Sequence, residues 1–175
     1  MTTPRTAVVV TVSDRCARGE AEDRSGPTLV DGLEALGFTT TLVVVPDGVP
    51  TVRSAVAEAI GAGTDVVLTT GGTGVGPRDV TPEALAPLLA QELPGVADAV
   101  RRAGASVVPT AVLSRGVAGI ARRGPVAPDG TWTQGGGTVV VALPGSVGGV
   151  RDGLAVVGPL LGHLVDQLAG GDHAG

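Results

Sequence analysis

The stretch Asp65–Val–Val–Leu–Thr–Thr–Gly–Gly–Thr–Gly–Val–Gly–Pro–Arg–Asp–Val–Thr–Pro–Glu83 decides how this chain reads. A short apolar strand runs into a glycine-rich loop, the loop delivers Asp79, and a helix opens at Thr81–Pro82. This order brings backbone N–H groups and a carboxylate together near a helix N-terminus, where phosphate and Mg²⁺ are natural occupants. Two familiar phosphate loops do not fit. A Walker loop would end in Gly–Lys–Ser/Thr, and the dinucleotide pattern started at Gly74 and Gly76 meets Asp79 at its sixth position. A bare glycine cluster reads equally well as a structural turn, but the Arg78–Asp79 pair beside it is suited to a phosphate and its metal.

Outward from this loop, strand and helix patterns alternate. Ala7–Val12 is a continuous β-branched run, read as a buried strand. Leu29, Val30, Leu33 and Leu36 have helical spacing within Gly26–Leu36, and Gly37 stops them. Phe38–Val45 reads as a strand, Pro50–Ile60 as a helix and Asp65–Thr70 as a third strand. Thr81 is expected to cap the next helix, with Pro82 at its first position. Leu93–Gly104 reads as helix, Val107–Ala121 as mixed extended and turn structure, and Gly124–Gly137 as a loop or a hairpin around Asp129–Gly130. Thr138–Leu143 is the last strand, and Val147–Leu168 the last helix, with Pro159 a point for a kink. A single domain over 5–168 and a flexible tail over 169–175 are expected.

Such alternation implies an α/β fold in three layers, a mostly parallel central sheet with helices on both faces. Ligands of such sheets bind beyond the carboxyl ends of the strands. Ser13–Asp14–Arg15, Pro46–Asp47, Gly71–Asp79 and Pro144–Gly145–Ser146 all follow strands, so they should share one rim. The candidate site residues are therefore Ser13, Asp14, Asp47, Thr70, Gly71, Gly72, Thr73, Gly74, Arg78, Asp79, Pro144, Gly145 and Ser146. Competing structural readings exist for several. Asp47 lies in a Pro–Asp–Gly turn, Asp79 can pair with Arg78 or cap a helix, and Asp23–Arg24–Ser25–Gly26–Pro27 can be a helix start capped by Ser25.

Composition excludes several classes. The chain has 175 residues, 43% apolar and 17% charged, with one Trp, one Phe and no Tyr. A base-stacking nucleic-acid platform lacks its parts, and a net charge of −5 opposes polyanion binding in general. All 12 basic residues are Arg, which removes Schiff-base chemistry, a P-loop lysine and a Ser–Lys dyad. Cys16, His163 and His173 do not make a zinc site. No charged-then-apolar leader and no apolar run of spanning length is visible, so a cytoplasmic protein without membrane or nucleic-acid partners is expected.

In order, Thr11–Val–Ser–Asp–Arg15, Asp23–Arg–Ser–Gly–Pro27, Thr70–Gly–Gly–Thr–Gly74, Pro77–Arg–Asp–Val–Thr–Pro–Glu83, Leu93–Pro–Gly95, Leu113–Ser–Arg115 and Leu143–Pro–Gly–Ser146 resemble the MogA/MoaB family of molybdenum-cofactor biosynthesis. The amino-terminal domain of gephyrin carries the same set. The resemblance covers nearly the whole chain, and it is the ordered set that is specific. It implies adenylylation of molybdopterin by Mg-ATP, in a trimer or, in some branches, a hexamer. It also implies acidic, metal-holding roles for Asp47 and Asp79, and substrate contacts from the glycine loop, Ser114 and Ser146. A non-catalytic molybdopterin binder and a nucleotide pyrophosphate hydrolase are the alternatives. The sequence departs from the commoner pattern at 124–137, which reads as an insertion, and at Val147–Gly148–Gly149.

Overall fold

The computed structural model describes residues 4–171. In chain order it contains β1 (Arg5–Val12), α1 (Asp14–Ala17), α2 (Ser25–Ala35), β2 (Phe38–Val45), α3 (Val49–Gly61), β3 (Val66–Thr70) and α4 (Thr81–Leu85). β4 (Leu89–Glu92), α5 (Pro94–Ala105), β5 (Ala118–Arg122), β6 (Gly137–Leu143) and α6 (Val147–Leu168) follow. Short 3₁₀ turns at Ala86–Leu88 and Pro109–Leu113 connect them.

The six strands form one sheet in the order β2-β1-β3-β6-β5-β4. β2, β1, β3 and β6 are parallel, and β5 and β4 run antiparallel at one side. Central parallel strands are covered on both faces, and every residue of β3 and β6 is buried, Thr69, Thr70 and Thr138 included. Alternate side chains then serve two cores. Val9, Leu68, Val139 and Val141 pack with Leu29, Leu33, Val100, Val150, Val157 and Leu161 from α2, α5 and α6. Val10, Val67, Val140 and Ala142 pack on the other face with Val52, Val56, Ile60 and Leu85 from α3 and α4. The result is the three-layer arrangement that the alternation implies.

Tertiary context revises several local expectations. Thr81 does not cap α4: it is the first helical residue, fully buried, and its hydroxyl donates to the Gly71 carbonyl at 2.9 Å. Ser25 is likewise inside α2, and Asp23 takes the capping role by accepting from Gly26 N at 2.9 Å. The antiparallel β4 carries no clear alternation (Leu–Ala–Gln–Glu) and was not expected; it exists because β5 offers it an edge. Pro159 lies inside α6, which is continuous from Val147 to Leu168.

Within 124–137 a small hairpin does form. Val126 bridges Trp132, Gly130 adopts φ +85°, and Asp129 accepts from Thr131 N at 2.9 Å. The segment re-enters the sheet at Gly137, the amino end of β6, so it lies at the end opposite the strands' carboxyl rim. Ala169 N and Gly171 N bond back to Val165 O and Asp166 O around the end of α6. The remainder of the expected tail, 172–175 with His173, lies outside the described residues.

Candidate active site

The four segments that follow parallel strands do meet. Gly71 N donates to Leu143 O at 3.1 Å, and Thr70 Oγ1 donates to Pro144 O at 2.8 Å. Gly71 has φ +100°, and a Cβ there would lie 2.3 Å from the Val12 carbonyl oxygen. Gly72 has φ +64°, with Thr81 Oγ1 2.3 Å from where its Cβ would be. Only glycine fits where the chain turns so tightly against two neighbours.

The loop's carbonyls all face the protein body. Gly71 O accepts from Thr81 Oγ1 and Gly72 O from Thr81 N at 3.0 Å. Thr73 O accepts from Arg115 N at 2.8 Å and Gly74 O from Arg115 Nε at 2.8 Å. In a trans peptide the C=O of one residue and the N–H of the next point in opposite directions. The N–H groups of Gly72, Thr73, Gly74 and Val75 are thus turned away from these partners, and among the described residues they donate no hydrogen bond. Consecutive free donors of this kind are the group that an anion cradle requires.

Two cavities adjoin this loop. The larger, about 560 Å³, is lined by Gly72, Thr73, Gly74, Ser114, Pro144 and Ser146, among others. Its outer wall comes from α5 and the Pro109–Leu113 turn, and its other charged groups are Arg101 and Asp152. The smaller, about 460 Å³, is lined by Ser13, Asp23, Asp47, Thr70 and Gly71. Gly72, Asp79 and Gly145 line both.

Asp79 accepts from Gly76 N through Oδ2 at 2.9 Å, and Asp47 accepts from Asp14 N through Oδ2 at 2.8 Å. In each carboxylate, Oδ1 accepts no hydrogen bond among the described residues. No group of three or more His, Cys, Asp or Glu that could hold a metal exists among those residues. Two carboxylates with one free oxygen each, on one cavity, suit Mg²⁺ held by one or two carboxylates and completed by substrate phosphates. The donor set therefore fits that ion as a companion of a nucleotide, rather than as a caged structural metal.

Asp14 and Arg78, expected on the rim as substrate contacts, line neither cavity. They bind each other, Arg78 Nη2 to Asp14 Oδ2 at 2.7 Å, and Arg78 also donates to Asp47 O at 2.9 Å. The Arg78 hydrogen bond holds the Asp14 carboxyl below its ordinary range. Ser13 and Ser146 lie on the cavities but also cap helices, accepting from Cys16 N at 3.3 Å and Gly149 N at 3.1 Å. Ser114 Oγ donates to Thr73 Oγ1 at 3.3 Å, leaving the Thr73 proton to point elsewhere.

Two arginines were not among the sequence candidates. Arg101 donates to Ser114 O and Gly116 O, at 3.2 and 3.1 Å. Arg115 bonds the loop at Gly74 O and Asp79 O and pairs with Glu83. Its hydrogen bond keeps the Glu83 carboxyl below the usual range, and Glu83 in turn raises Arg115. The only signal in the sequence is an Arg directly after Ser114; its partner Glu83 is 32 positions away.

Known proteins share this architecture. The Mog protein of molybdopterin biosynthesis from Mycobacterium ulcerans superposes with a TM-score of 0.83 at 43% identity, covering 97% of this chain and 99% of that one. The "Molybdopterin adenylyltransferase" of Pyrococcus furiosus is 40% identical over 158 residues, 90% of this chain and 87% of that protein. The "Molybdenum cofactor biosynthesis bifunctional protein" of Synechococcus elongatus is 43% identical over 168 residues, 95% of this chain but 48% of that protein. The chain thus spans about half the length of the bifunctional relatives it matches. Residues 8–163 match the family described as "Probable molybdopterin binding domain", and the chain belongs to that family.

Proposed function

We propose that this chain adenylylates molybdopterin with Mg-ATP as a step of molybdenum-cofactor biosynthesis, within one domain spanning 5–168. The carrying observation is that two cavities adjoin one loop of free N–H groups and share Gly72, Asp79 and Gly145. A reaction joining two phosphate-bearing substrates needs this arrangement: one anion cradle reached from both sides. Similarity to the adenylyltransferase of Pyrococcus furiosus supports the same reading.

In this reaction a terminal phosphate oxygen of molybdopterin attacks the α-phosphorus of ATP. A new P–O bond forms as the bond to the bridging oxygen breaks, and pyrophosphate leaves with that electron pair. Negative oxygens must approach one another, so catalysis is chiefly positioning and charge stabilisation. The N–H groups of Gly72–Val75 and the Thr73 hydroxyl donate to phosphate oxygens. Ser114, Pro144, Gly145 and Ser146 shape the larger cavity around a substrate, and Ser13, Thr70 and Gly71 the smaller. Asp79 and Asp47 would hold Mg²⁺, which when bound supplies neutralisation of phosphate charge.

The same reading includes a cytoplasmic homotrimer, with a hexamer as the larger assembly. Val107, Val112 and Leu113 are exposed apolar residues that such an assembly could cover. Light scattering coupled to size exclusion tests it.

The direct test is turnover of ATP and Mg²⁺ with and without molybdopterin, identifying products by mass. Adenylylated molybdopterin with pyrophosphate is the expected outcome. AMP formed without the pterin would make the protein a hydrolase, and tight pterin binding without product would make it a carrier.

A further inference from the structure

Among the described residues, Arg115 is the side chain that bonds the phosphate loop at both Gly74 and Asp79. Its backbone N–H holds Thr73 O at 2.8 Å and its Nε holds Gly74 O at 2.8 Å. Its Nη2 reaches across to Asp79 O, and its Nη1 pairs with Glu83 in the first turn of α4. One planar guanidinium thus fixes the span from residue 74 to residue 79, with the Glu83 carboxylate fixing the guanidinium. A lysine cannot reproduce this, because its single ammonium lacks the rigid fork of donors.

We propose that the Arg115 side chain is the positioning group of this site: by drawing the Gly74 carbonyl to its guanidinium, it aims the Val75 N–H at substrate phosphate, beside the Gly74 N–H that the Arg115 backbone already orients through Thr73 O. This rests on the reading of the loop as a phosphate cradle. The argument is geometric. Gly71 and Gly72 O are held by Thr81, which forms the first half of the cradle independently. The second half has no other restraint: beyond Arg115 the Thr73 and Gly74 carbonyls have no partner among the described residues. Without the guanidinium, the peptide plane after Gly74 is free to rotate, while the Arg115 backbone N–H still holds Thr73 O. The same loss releases the Asp79 carbonyl, so the Asp79 carboxylate loses its register with the cradle. Arg115 lines neither cavity, so its effect passes through the loop.

The test uses the full chain in three variants, Arg115→Ala, Arg115→Lys and Glu83→Gln, read by amide NMR during titration with inorganic pyrophosphate and by steady-state kinetics. In the unaltered protein, pyrophosphate should shift the Gly72–Val75 amides. Arg115→Ala should keep the shifts at Gly72, Thr73 and Gly74 while losing that at Val75, and lower kcat about 10²-fold, the scale for misplacing reacting groups by about 1 Å. Arg115→Lys should resemble the Ala variant, and added guanidinium should partly rescue Arg115→Ala. Glu83→Gln, which keeps the carbonyl contacts, should retain the Val75 shift; it also controls for loss of the ion pair's contribution to folding. Equal shifts at all four amides in the folded Arg115→Ala protein would overturn the proposal while leaving the cradle intact. If pyrophosphate moves none of the four in the unaltered protein, the cradle itself falls, and the proposal with it.

Discussion

Asp14 and Asp47 exchange hydrogen bonds across neighbouring strand ends: Asp47 Oδ2 accepts from Asp14 N at 2.8 Å, and Asp14 Oδ1 accepts from Asp47 N at 3.1 Å. Two adjacent carboxylates are tolerated because each binds the other's backbone and Arg78 binds Asp14 through both Nε and Nη2. This exchange ties the β1 end to the β2 end, and Arg78 ties both to the loop after β3. Asp47 is thereby held on the smaller cavity with one oxygen unused.

That arrangement has a pH signature. Arg78 depresses the Asp14 pKa, so the stabilisation is fully present above the ordinary carboxylate range near pH 4 and is lost as pH falls through the lowered value. Arg78→Ala should move the Asp14 titration back up toward that range in carboxyl NMR. The stability gap between the two proteins should narrow on acidification. An Asp14 titration unmoved by the substitution would refute the pairing.

Asp79→Asn should fold normally, because an amide oxygen can still accept from Gly76 N as Oδ2 does. Turnover should nevertheless drop about 10²–10³-fold, the scale for losing one key electrostatic group. A variant with near-normal turnover would remove Asp79 from the mechanism.

Gly74→Ala offers a way to displace that carboxylate without changing its chemistry. A Cβ at position 74 would lie 2.7 Å from Asp79 Oδ2, the movable end of a side chain. We expect a melting temperature close to that of the parent and a large fall in turnover. Gly72→Val behaves differently: its Cβ would meet Thr81 Oγ1 at 2.3 Å from a backbone at φ +64°. It should destabilise by about 1–3 kcal/mol or more, the cost of such backbone strain, and so is a poor probe of phosphate approach alone. Thermal denaturation of the two variants side by side checks both expectations.

Ser146→Ala removes the cap of the longest helix, where Ser146 Oγ accepts from Gly149 N. The expected loss is about 0.5–2 kcal/mol of stability. Denaturant unfolding measures that, and the Michaelis constant for molybdopterin separates the cap from a substrate contact. A raised constant after correction for the folded fraction would assign Ser146 to the substrate as well.

Sequence by itself determined the parallel strands, the long helices and the shared rim. Each follows from a local or periodic signal: β-branched runs in β1 and β3, helical spacing in α2, and the rule that parallel strands end together. Ser13, Asp47, the Gly71–Gly74 loop, Asp79 and Ser146 were legible as cavity-lining residues for that reason. What only the tertiary structure decided is how each polar group is spent. Thr81 could cap a helix or bind a carbonyl, and the close approach of Gly71 settles it. Arg78 stands next to Asp79 in the sequence, yet its ion pair is with Asp14 at the end of β1. Arg115 lies 36 residues beyond Asp79, and its hold on that residue's carbonyl is visible only once β5 is laid beside β6. Hydrogen bonds act over about 3 Å in space whatever the separation along the chain, so no local pattern in the sequence could announce them.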